Sequence, residues 1–149
     1  MSKEAASPDP LTGALADAQR IGLIGPGPLE PAIEQARRFV NAVPDASRLV
    51  IDLGSGGGLP GLVLAHGLPG EAHVVLVDRR ERSTDFLRRA VSALGLGART
   101  TVVAADATEL GHDPRWRGQQ HDEHSSQPHR GLLDDARVRI ATTRPAGQG

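Results

Sequence analysis

The sequence predicts an α/β fold: a parallel sheet joined by crossover helices, preceded by a small helical cap. Three observations carry that prediction. Apolar runs over residues 48–53, 74–78 and 101–106 alternate with helical patterns, which is the signature of βαβ units. The runs are continuous rather than alternating, as in strands buried on both faces. An aspartate stands at or near the end of each run: Asp52, Asp78 and Asp106. In a parallel sheet these three acids share one carboxyl edge, where ligands bind in open α/β folds.

The elements follow in order. Residues 1–9 read as a flexible polar arm. Residues 10–43 form the cap. Leu11, Leu15, Ala18 and Ile21 share a helical face that Gly22 can end. Gly25-Pro26-Gly27-Pro28 is a turn. A second helix covers Glu30 to Ala42, its stripe built from Leu29, Ile33, Ala36, Phe39 or Val40, and Val43. Pro44-Asp45 breaks it. The α/β core then spans residues 48–118. Strand one is Arg48–Leu53, and a helix runs from Pro60 through about His66. Strand two is Val74–Asp78. The helix after it places Phe86, Leu87, Ala90, Val91 and Leu94 on one face, and Gly95 stops it. Strand three is Thr101–Asp106.

The chemistry gathers where strand one ends, at Asp52-Leu53-Gly54-Ser55-Gly56-Gly57-Gly58-Leu59-Pro60-Gly61. Glycines let the chain turn sharply and let a ligand come close to bare backbone. A strand, a glycine turn and a helix start make a nucleotide-type site with backbone N–H groups facing the crevice. Gly56-x-Gly58-x-x-Gly61 matches the dinucleotide fingerprint, but that match alone is weak. Asp52 argues for a different ligand. A dinucleotide places its pyrophosphate over such a turn, and a carboxylate beside it repels that charge. S-adenosylmethionine instead presents an ammonium and a sulfonium. Asp52-x-Gly54-x-Gly56-x-Gly58 is therefore read as the loop that holds its methionine end. A nicotinamide dinucleotide such as NAD, or a turn that binds nothing, are the competing readings.

Asp78 follows Gly54 at about the spacing of a carboxylate that grips both ribose hydroxyls, roughly 20 residues on. Its competing role is a helix N-cap. Asp106, Ala107 and Thr108 lie at the third strand tip, beside the expected adenine; Asp106 as a plain loop residue is the alternative. Arg79, Arg80, Arg82, Arg88 and Arg89 cluster around the start and outer side of the following helix. They suit either phosphate contact or a solvated face balanced by Glu81 and Asp85.

Composition narrows the possibilities. The 149 residues suffice for one domain with a core. Net charge is -1, so bulk charge points to no nucleic-acid partner. The absence of cysteine rules out disulfides, thiolate catalysis and cysteine zinc sites. No run approaches the roughly 18 apolar residues of a membrane span, and the first residues lack a signal-peptide core; a cytoplasmic, membrane-free protein is expected. Phe39, Phe86 and Trp116 are the only aromatics, so base-stacking platforms are few.

Beyond residue 118 the pattern changes. Residues 119–130 are polar, without a strand signal, and 119–149 read as a disordered tail. Val138-Arg139-Ile140-Ala141-Thr142 alternates and suits one short strand. His121 and His124, with Asp122 and Glu123 between them, make a poor metal site without a helix to hold them; no metal is expected.

With these residues in place the chain resembles the RsmG (GidB) family. Asp52-Leu-Gly-Ser-Gly-Gly-Gly-Leu-Pro-Gly61, Val77-Asp78-Arg-Arg-Glu-Arg-Ser83 and Phe86-Leu87-Arg88 carry the resemblance. It is strong over 48–118 and weaker over 14–47. It implies a Rossmann-like methyltransferase fold and S-adenosylmethionine-dependent methylation of one guanine N7 in 16S rRNA, on the small ribosomal subunit. By the family pattern Gly54, Leu59, Ala107 and Thr108 touch the methyl donor. The family cap is longer than residues 10–43, and its later strands do not continue after 118. The resemblance therefore implies a sheet incomplete on its C-terminal side and a frameshifted or truncated reading frame. An unpaired flank on strand one is expected to follow. A remnant that at most binds the donor is the alternative function. N7 methylation needs no general base, so no catalytic acid or base is assigned.

Overall fold

Strand one begins where Leu49, Val50 and Ile51 give three apolar side chains in succession, too many for a solvated face. In a computed structural model that describes residues 7–110 and 139–142, this segment is β1, Leu49–Leu53, buried on both sides. β2, His73–Asp78, lies parallel to it in the register Leu49 to His73. β3, Thr100–Ala104, is parallel to β2, and β4, Arg139–Thr142, is parallel to β1. The strand order is β3-β2-β1-β4.

The cap helices form as expected. In α1, Pro10–Arg20, Asp9 accepts the Leu11 N–H at 3.0 Å and Pro10 occupies the first turn. Leu11, Leu15 and Ala18 are buried. α2, Leu29–Ala42, starts after Pro28 and carries Glu30 in its first turn, where its charge suits the helix dipole. Val40 rather than Phe39 completes its stripe: Val40 packs on the core, whereas Phe39 is 37% exposed.

Between β1 and β2 runs α3, Gly61–Gly67; between β2 and β3 runs α4, Glu81–Ala93, closed by Gly95 at a φ of 69°. Both contact the sheet, and α2 packs on α3. The strand pleat divides the core in two. Val50, Val74 and Leu76 join Leu62, Leu64, Phe86, Leu87, Leu11 and Leu15 on the helix side. Leu49, Ile51, Val75, Val77 and Leu110 form the cluster of the opposite face.

Two expectations are corrected. The third strand stops at Ala104, not Asp106, because Asp106 turns the chain into the short helix α5, Ala107–Leu110. Asp106 accepts the Thr108 N–H at 2.9 Å and the Thr108 hydroxyl at 2.6 Å, an N-cap arrangement incompatible with a continuing strand. The flank of β1 is not unpaired. The alternating segment beyond residue 138 forms β4 there, satisfying backbone groups that would otherwise be left open. The remainder of the expected tail, with its histidines, lies outside the described residues, as do Trp116 and residues 1–6.

Candidate functional site

The three strand tips are stitched together by backbone bonds at the carboxyl edge. The Val77 carbonyl accepts the N–H groups of Gly54 and Ser55 at 2.8 and 2.9 Å. The Asp78 carbonyl accepts the Ala105 N–H at 3.1 Å. Gly54 to Leu59, Asp78, and Asp106 to Thr108 therefore cluster at one edge.

The glycines of the turn do different work. Gly54, Gly56 and Gly58 have φ values of 76°, 53° and 99°, a region that side chains other than glycine rarely adopt. Nothing lies within 4 Å of a Cβ built at Gly54, so bare backbone faces open space there. Gly57 and Gly58 are tight instead. A Cβ at Gly57 falls 2.5 Å from Ile24 and 2.9 Å from the Leu23 carbonyl; at Gly58 it falls 2.4 Å from Leu62. The α1–α2 turn thus lies directly against the glycine turn. Gln19 pins it by donating to the Gly25 and Gly27 carbonyls at 2.9 and 2.7 Å, and Arg82 donates to the Ile21 carbonyl. Sequence reasoning missed this support, because nothing in a one-dimensional pattern announces that a proline-glycine turn docks on another turn.

The amides of the turn are not free, contrary to expectation. Gly54 and Ser55 donate to Val77, Gly58 donates to the Ser55 carbonyl at 2.8 Å, and Gly56 donates to Asp78 Oδ2 at 2.9 Å. A pyrophosphate cradle needs such donors for its own oxygens. Here four of them are already committed inside the protein.

Asp78 is 6% exposed and well partnered. Besides Gly56, it accepts the Arg80 N–H at 2.9 Å on Oδ1, and the Arg80 Nε lies 3.4 Å from the same oxygen. Asp78 thus shapes both the glycine turn and the start of α4. Oδ2 accepts a single bond and keeps lone-pair capacity, whereas Oδ1 already accepts two.

Asp52 differs from the sequence picture of a carboxylate at the mouth of the turn. It is fully buried beneath the first residue of α3: a Cβ at Gly61 would lie 2.4 Å from Asp52 Oδ2. Neither carboxylate oxygen has a hydrogen-bond partner, since the Ser55 hydroxyl donates at 3.0 Å to the Asp52 carbonyl instead. Burial pushes the Asp52 carboxyl up to about 6; the Asp78 charge adds to this, and the nearby Ser55 hydroxyl and Gly61 amide partly offset it.

Asp106 is at the surface, held below the usual carboxylate range first by the Thr108 hydroxyl and then by the Thr108 N–H. Ala107 is half-buried, Thr108 is exposed, and Leu59 is half-buried against the helix-side core. Of the five arginines, Arg80 pairs with Asp78, Arg82 ties down the α1–α2 turn, and Arg88 lies 3.4 Å from Asp85; Arg79 and Arg89 are exposed. Among the described residues no group of three potential metal ligands occurs, and no helix is long and apolar enough to cross a membrane.

An orphaned buried carboxylate behind the turn, open backbone at Gly54 and an oriented carboxylate at Asp78 fit a cationic nucleoside ligand better than a diphosphate.

Comparison with known proteins gives the family and the fold. The profile of the GidB family, rRNA small subunit methyltransferase G, matches residues 32–122. A ribosomal RNA small subunit methyltransferase G of Prochlorococcus marinus (strain MIT 9313) is 43% identical over 98 residues, covering 66% of this chain and 34% of that protein. The protein of the same name from Salinispora arenicola (strain CNS-205) is 44% identical over 94 residues, covering 60% and 38%. The chain thus spans about a third of the length of these curated relatives. Among solved structures, cofactor-bound Rv0187 from MTB superimposes with a TM-score of 0.58 at 21% identity, covering 76% of this chain and 51% of that one. The O-methyltransferase from Bacillus cereus in complex with SAH gives 0.56 at 20%, covering 73% and 50%. At these identities the structural likeness establishes the methyltransferase fold.

Proposed function

Because the chain belongs to the rRNA small subunit methyltransferase G family, we propose that it binds S-adenosylmethionine at the carboxyl edge of the sheet and methylates a guanine N7 of 16S rRNA. The observation that carries the reading is the internal use of the turn's amides by Val77, Ser55 and Asp78. It disfavours a diphosphate and leaves a carboxylate to meet a ribose.

When bound, the donor supplies an electrophilic methyl group on a sulfonium. The chain's residues bind and orient it. Asp78 accepts the two ribose hydroxyls. Gly54 offers unobstructed backbone, and Gly56, Gly58 and Leu59 shape the wall at the methionine end. Ala107 and Thr108 offer backbone to the adenine, and Asp106 accepts from its amino group. Asp52 acts from behind the turn, its negative field favouring the cationic end of the ligand and its bulk fitting only a glycine at 61. The chain's residues would hold the methyl carbon in line with the guanine N7 lone pair, so that the new bond would form as the methyl–sulfur bond breaks with its electron pair left on sulfur. No proton leaves, so alignment rather than acid–base catalysis lowers the barrier, by roughly 7–11 kcal/mol at most. The partner is the small ribosomal subunit or its RNA, and the compartment is the cytoplasm.

The test is methyl transfer. The full chain is incubated with radiolabelled donor and small subunits lacking the N7 methyl group. Label in 16S rRNA, at a guanine that becomes sensitive to N7-specific cleavage, is expected. Donor binding without transfer contradicts the catalytic reading and identifies a binding-only remnant.

A further inference from the structure

Three donors converge on Asp78, and only one of them can leave. The Gly56 and Arg80 N–H groups belong to the backbone of the glycine turn and of the residue before α4. The third is the Arg80 side chain, whose Nε lies 3.4 Å from Asp78 Oδ1. Its Nη2 lies 3.6 Å from the position of a Cβ on Gly56, so the guanidinium lies close to the glycine turn. The Arg80 side chain is 58% exposed while that of Asp78 is 7% exposed, so a solvent-facing guanidinium lies over a nearly buried acid.

We propose that the Arg80 side chain occupies the ribose subsite in the free protein and is displaced from Asp78 when a nucleoside diol binds, which makes Arg80 a determinant of donor affinity. This inference rests on the reading of Asp78 as the ribose carboxylate. A carboxylate oxygen that already accepts one backbone N–H has room for one further strong donor in the plane of the carboxyl group. The ribose hydroxyl and the guanidinium therefore compete for the same lone pair. Removing the side chain leaves both backbone donors in place, so the acid stays oriented while its competitor disappears. The contact is half solvated, so the cost of displacing it is small.

The experiment is calorimetric titration of the full chain and two variants with S-adenosylhomocysteine, which carries the ribose without the sulfonium charge. Arg80→Ala is expected to tighten binding about two- to fivefold. Arg80→Lys, which keeps the charge without the planar Nε donor, is expected to fall between the two. Unchanged or weaker binding by Arg80→Ala overturns the proposal, because a merely supporting side chain does not tighten binding when removed. Asp78→Asn, with folding checked by circular dichroism, separates the two levels. Retained affinity in Asp78→Asn overturns the ribose reading and this inference with it. Lost affinity in Asp78→Asn, with no tightening in Arg80→Ala, overturns this inference alone.

Discussion

Asp52 is buried with no hydrogen-bond partner on either carboxylate oxygen, a placement that costs the fold stability. Its carboxyl titrates at 3.8 when solvated and at about 6 in the folded chain. The native state therefore holds a proton that the unfolded chain has released over that interval. Below about pH 3.8 the neutral acid is tolerated in both states. As pH rises through about 6 that stability is lost, and above it the full penalty applies, on the order of 3 kcal/mol. Asp52→Asn removes the titration. Urea unfolding of both proteins from pH 4 to pH 7.5 is expected to show the variant gaining on the wild type by roughly 2–3 kcal/mol across that range. A gap independent of pH contradicts the burial. The presence of Asp52, Asp78 and the glycines was legible in the sequence, but the direction of the Asp52 side chain was not. A continuous apolar run hides the period of two that assigns each residue to a face. Only Gly61, which leaves room for the carboxylate, hinted at it. Nor was the pairing of Arg80 with Asp78 legible, since an arginine cluster gives no clue to which member faces a carboxylate two residues away.

At the scale of elements, α4 was read most securely. Phe86, Leu87, Ala90 and Val91 recur at helical spacing, and all are buried in the same cluster. Leu87 is fully buried against the sheet, so Leu87→Ala is expected to cost about 2–5 kcal/mol in urea unfolding, through lost transfer energy and the cavity left behind. A loss below about 1 kcal/mol contradicts the packing, because an exposed leucine is the kind that costs so little. β3 was read as ending two residues too late and starting one too late. The unbroken run of apolar residues continues into Ala105, and only the Asp106–Thr108 side-chain bond shows where the strand gives way to α5. β4 was legible as an alternating segment, but its partner was not. Sequence gives the pleat of a strand, not its neighbour, and 85 residues of chain lie between β1 and β4. The docking of the α1–α2 turn on Gly57 belongs to the same class of long-range contact.

For the whole molecule, the decisive feature is a four-stranded parallel sheet whose carboxyl edge gathers a glycine turn, the nearly buried Asp78 and the Asp106 turn. Alternating strands and helices made this architecture legible, because parallel strands need crossovers and crossovers place all strand ends on one edge. The family profile covers residues 32–122, which includes every candidate site residue from Asp52 to Thr108. The proposed donor site is thus contained in the matched segment, although the chain spans about a third of the length of its curated relatives. Donor binding is accordingly the property to measure on this chain itself. Titrating the full 149-residue chain separately with S-adenosylmethionine and NAD tests the account at its centre. Saturable binding of S-adenosylmethionine at one site per chain, with no heat from NAD, is the predicted result; binding of NAD alone, or of neither, contradicts it.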